Sequence, residues 1–145
     1  MLMLITMIYP VIMSNASSSD KIPVILDTDI GGRLFKGKAP EGTIYPYVVF
    51  FLVSDIPANT FTESLEDIMI QFSLFSSLPS SGEIEDMFTH LKTLYDNCSL
   101  NITGSALLYM VRQNAMLMTE EHITLSGTMD VLHYAVDFSL MTTVN

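Results

Sequence analysis

Basic side chains are scarce in this sequence: six Lys and Arg stand against sixteen Asp and Glu, a formal charge of −10. Direct binding to DNA needs a basic footprint that neutralises many phosphates, and none is present. Cysteine is scarcer still. The single Cys98 has no internal disulfide partner, and with three scattered histidines it forms no zinc-ligand spacing. Charge of either sign is thin, at 15% of residues, while 49% are hydrophobic. A chain this apolar buries either a large core or surface against copies of itself or a partner. At 145 residues there is room for one two-layer core, so residues 1–145 are expected to form a single domain.

The sequence also lacks the motifs that carry chemistry. No GK[ST] follows Gly31 and Gly32, so "DIGG" is not a phosphate loop, and no G-x-S-x-G elbow supports a hydrolase. "DTD" at 27–29 offers carboxylates to a divalent cation, but no EF-hand pattern supplies the further oxygens, and a solvated turn is preferred. "KGK" at 36–38 is too short for a nucleic-acid patch. The 11 methionines are dispersed, which suits adaptable packing. No catalytic residue, cofactor or metal is expected. The opening "MLMLITMIYPVIMSNASSS" has no positive lead and is interrupted by Pro10, so residues 1–20 are read as a helix and loop and not as a membrane span. The alternative is a secreted or periplasmic binding domain cleaved near Ala16 or Ser17.

What is present is periodicity. After a brief strand and turn at "RLFKGKAPEG", Tyr47, Val49, Phe51 and Val53 alternate with Val48, Phe50 and Leu52. Both sets are apolar, which predicts a strand covered on both sides. Residues 55–67 read as a long acidic connection. Ile68, Ile70, Phe72 and Leu74 then mark one face of a second strand. Ser80 and Glu83 have capping-box spacing, and Ile84, Met87, Phe88, Leu91 and Leu94 form one helical stripe. Two late strands follow, separated by a polar turn at 119–128; in the second, Leu132, Tyr134, Val136, Phe138 and Leu140 face inward. The expected fold is α+β: a mostly antiparallel, mixed sheet of about four strands with helices packed on one face.

The segment "IGGRLFKGKAPEGTIYPYVVFFLVSDIPANTF", with the "IMIQFSLFS" strand, the amphipathic helix and the two late strands, resembles the tail-completion or tail-terminator proteins of long-tailed bacteriophages. The matching positions are Gly32 to Phe35, Ala39, Pro40, Pro46 to Phe50, Ser54, Asp55 and Ile68 to Phe75. The resemblance implies a non-enzymatic virion protein of the tail or neck, made in the host cytoplasm. It implies a homo-oligomeric ring, usually hexameric, that caps the head-proximal end of the tail tube and meets the head–tail connector. DNA would pass through the lumen without specific binding, and no membrane is involved. It also implies that "PYVVF" is the centre of the sheet, and that Asp55, Glu63, Glu66 and Asp67 are candidate contacts with a neighbouring subunit, the tube or the lumen.

Overall fold

The computed structural model describes residues 30, 33–62, 64–77, 82–96, 107–124 and 127–143. Five strands and one helix follow in chain order: β1 (Leu34–Lys36), β2 (Tyr47–Pro57), β3 (Leu65–Ser76), α1 (Gly82–Tyr95), β4 (Leu107–Thr124) and β5 (Gly127–Thr143). They form one sheet in the order β1-β2-β3-β5-β4. The β1–β2 pair is parallel and the other three pairs are antiparallel.

The alternation read from the sequence decides the core. Val48, Phe50, Ile68, Ile70, Phe72, Leu74, Val136, Phe138 and Leu140 point to one face and are buried. Against them lies α1, whose buried Ile84, Met87, Leu91 and Tyr95 recur at spacings of three and four and so share one side of the helix. Phe72 is at the centre. Its ring stacks on Tyr95 at 4.9 Å and on Phe50 at 5.7 Å, and meets Phe138 edge-on at 5.6 Å. The carboxyl end of α1 is fastened to β4, where Arg112 pairs with Asp96 at 3.3 Å and covers the Phe88 ring. Ile30 joins this core as a fully buried residue.

The expected α+β arrangement of about four strands with helices on one face is not what forms. Strands hold 64% of the described residues and one helix 15%, in a sheet of five strands. The fifth strand is the short β1 at Leu34–Lys36, and much of the added strand length lies at 119–128. These polar residues belong to a long hairpin that stays paired from Thr119↔Leu132 to Thr124↔Gly127. β4 is the edge of the sheet, where alternate positions face water, so polarity there marks exposure and not a turn. Gly127, at φ 129°, occupies backbone space that side-chain-bearing residues rarely adopt. The acidic connection is likewise shorter than expected: β2 runs to Pro57 and β3 begins at Leu65. β3, not the "PYVVF" strand, is the centre of the sheet. The helix expected over 1–20 and the Asp27–Asp29 stretch lie outside the described residues.

Candidate functional site

A β-bulge sets the geometry of the acidic residues. The register of β2 against β3 shifts between Leu52 and Ser54, leaving Val53 as an extra residue. Without it, strict alternation would put Asp55 on the face away from α1. With it, Asp55 pairs with Ile68 and turns to the helix side, where Glu66 also lies, opposite Thr142. Glu66 and Thr142 are buried, and among the described residues neither the Asp55 oxygens, Glu66 Oε2 nor Thr142 Oγ1 has a well-aligned hydrogen-bond partner. The Glu66 carboxyl is pushed up to about 7, first by the neighbouring Asp55 carboxyl, then by burial and by the Asp55 charge. Because the Asp55 oxygens lack an aligned donor, this is a carboxyl–carboxyl proximity rather than a formed hydrogen bond. Glu66 can hold and release a proton near neutrality.

The four sequence-predicted acidic residues therefore do not form one cluster. Asp55 and Glu66 come together on the helix side. Asp67 lies on the opposite face, accepting a hydrogen bond from Ser139 Oγ at 3.1 Å. Glu63 is outside the described residues.

A second polar group, which the sequence did not single out as a unit, occupies that opposite face near the hairpin. Glu120 accepts from His133 Nδ1 at 2.6 Å through one oxygen and from His122 Nε2 at 3.2 Å through the other. With Nε2 donating, His122 Nδ1 is an acceptor, and Tyr45 donates its hydroxyl to it at 2.7 Å. Burial pushes the Glu120 carboxyl up, but the hydrogen bonds from His133 and His122 outweigh it, and the net displacement is below the usual range. The rings are packed: His133 stacks on Phe75 at 4.3 Å, and Phe75 on Tyr47 at 4.9 Å. Burial pushes the Tyr47 hydroxyl up to about 12. Glu120 and His122 are two apart on a strand and share a face, whereas His133 joins them only once the hairpin register is known. That register is what a reading of 119–128 as a turn conceals.

Beside this group is a recess of about 340 Å³ lined by Gly37, Lys38, Ala39, Tyr47, Val49, Phe51, Ser73 and Phe75. It is open and mostly apolar. Among the described residues no three His, Cys, Asp or Glu side chains are arranged to hold a metal ion, and no helix is long and apolar enough to cross a membrane.

No protein-family model and no curated protein sequence matches the chain. Among solved structures, a chain of the virion of a native gene transfer agent (GTA) particle superposes with a TM-score of 0.72 at 9% sequence identity, covering 97% of this chain and 97% of that one. A further solved chain covers 88% of this one at 13% identity, but its TM-score of 0.44 is too low to carry an argument. This chain thus shares its fold, nearly end to end, with a chain of a gene transfer agent virion.

Proposed function

We propose that this protein is a structural component of a phage-like virion, a single-domain subunit without enzymatic activity. The observation that carries the reading is the end-to-end fold likeness to a chain of the gene transfer agent virion. In its finer form, the subunit closes into a ring, six-membered by the resemblance to tail terminators. The ring caps the head-proximal end of the tail tube and offers its other side to the head–tail connector. Two physical features support assembly. Large hydrophobic side chains are exposed along the strands at both edges of the sheet, among them Ile56, Leu108 and Met116. An acidic chain lining a channel would also repel DNA phosphates and let the duplex pass without sticking. Of the predicted acidic contacts, Asp67 suits a partner or lumen position best, because its face is turned away from α1; Glu63 stays a candidate with it. Asp55 and Glu66 are turned towards the helix side.

The test is to add the purified protein to polymerising tail-tube protein of the same virus and to examine the tubes by electron microscopy. Tubes of limited length with one capped end are expected. Tubes that grow unchecked, with no added density at either end, would overturn the capping role.

A further inference from the structure

The two edges of the sheet are matched in a way that a lone subunit has no use for. Following the pairing from strand to strand, Ile56 lies in one row with Asp67, Met141 and Tyr109. Ile56 and Tyr109 therefore stand at the same height on opposite sides of the sheet, and they are 58% and 40% exposed. Phe35 shares a row with Met116 in the same manner, through Val49, Ser73 and Ala135. Met116 is 54% exposed. β1 covers β2 only at Val48–Phe50, so Phe51–Pro57 forms the rest of that edge among the described residues. From Asn114 to Thr124 the opposite edge strand, β4, pairs with β5 without a bulge. A long edge strand with exposed apolar side chains is a template for another strand, and natural sheets usually blunt it.

Strand direction agrees. β1 and β2 run one way and β4 the other. Rotating one copy about an axis parallel to the strands preserves both directions, so β4 of one copy meets β1 and β2 of the next as antiparallel neighbours.

We infer that β4 of one copy docks antiparallel against β1 and the free edge of β2 of the next copy, joining subunits head to tail through their sheets. This deepens the ring reading and rests on it, since a head-to-tail contact between sheet edges closes a ring when the rotation allows. A two-fold pairing of β4 with β4 would leave the β2 edge uncovered, with Val53 and Ile56 still exposed; the head-to-tail contact covers both edges at once.

Cross-linking tests it. In a Cys98→Ser background, Ile56→Cys and Tyr109→Cys are combined in one chain, and the protein is oxidised at high concentration and separated without reductant. Both sites are exposed, so the fold should tolerate them, and circular dichroism against wild type checks this. A ladder that ends at a discrete largest species is expected, with neither single variant forming one. Tyr109→Cys alone giving abundant dimers would overturn the proposal in favour of two-fold β4 pairing. Light scattering of the wild-type protein, done alongside, tells the remaining failures apart. Wild type that assembles while the double variant does not cross-link overturns the edge contact and leaves the ring reading standing. Wild type that stays monomeric at every concentration, with no cross-link, overturns both.

Discussion

Glu66 shows how a single residue ties the local fold to solution behaviour. Its carboxyl titrates near 7 in the folded chain against an ordinary 4.5, so the folded state holds the proton more tightly than the unfolded one. The contribution of Glu66 to stability is then greatest below about pH 4.5 and falls as pH rises through 4.5 to 7, because ionisation costs more folded than unfolded. Glu66→Gln should remove that slope and stabilise the protein above pH 7 by roughly 1–2 kcal/mol, allowing for screening, as read by urea denaturation at several pH values. Asp55→Asn should bring the Glu66 titration back towards the ordinary value, since Asp55 supplies the first of the causes; NMR titration of the side chain checks it. Glu120 has the opposite sign. Its folded carboxyl is depressed by His133 and His122, so its contribution is present above about pH 4.5 and is lost as pH falls through its lower folded value. Glu120→Gln should cost about 1–3 kcal/mol at neutral pH, shrinking in acid, in the same denaturation series.

At the scale of elements, the helix-to-sheet layer carries the stability. Phe72→Ala opens a cavity among Phe50, Tyr95 and Phe138, and should cost about 3–5 kcal/mol in chemical denaturation. Phe61→Ala, at a fully exposed ring, should change stability by less than about 0.5 kcal/mol. The layer itself was legible in the sequence. Ile68, Ile70, Phe72 and Leu74 alternate without interruption, Ile84, Met87 and Leu91 keep helical spacing, and each set faces the other as its period requires. Two things were not legible. The bulge at Val53 adds one residue to an otherwise regular run, and only the pairing with β3 shows that Asp55 has crossed to the helix side. The length of β4 was hidden because an edge strand tolerates "TEEHIT", residues that in a central strand would end the pairing. The Glu120, His122 and His133 group was lost with it, since it exists only in the register of that hairpin.

At the scale of the whole molecule, most of the large hydrophobic side chains left exposed among the described residues lie along the edges of the sheet. The measurement that bears most directly on the central claim is the solution mass of the wild-type protein by light scattering across a range of concentration. A species near six times the 16.2-kDa chain is expected, or a monomer that shifts towards it as concentration rises. A strictly monomeric protein that also fails to bind tail tubes would contradict it.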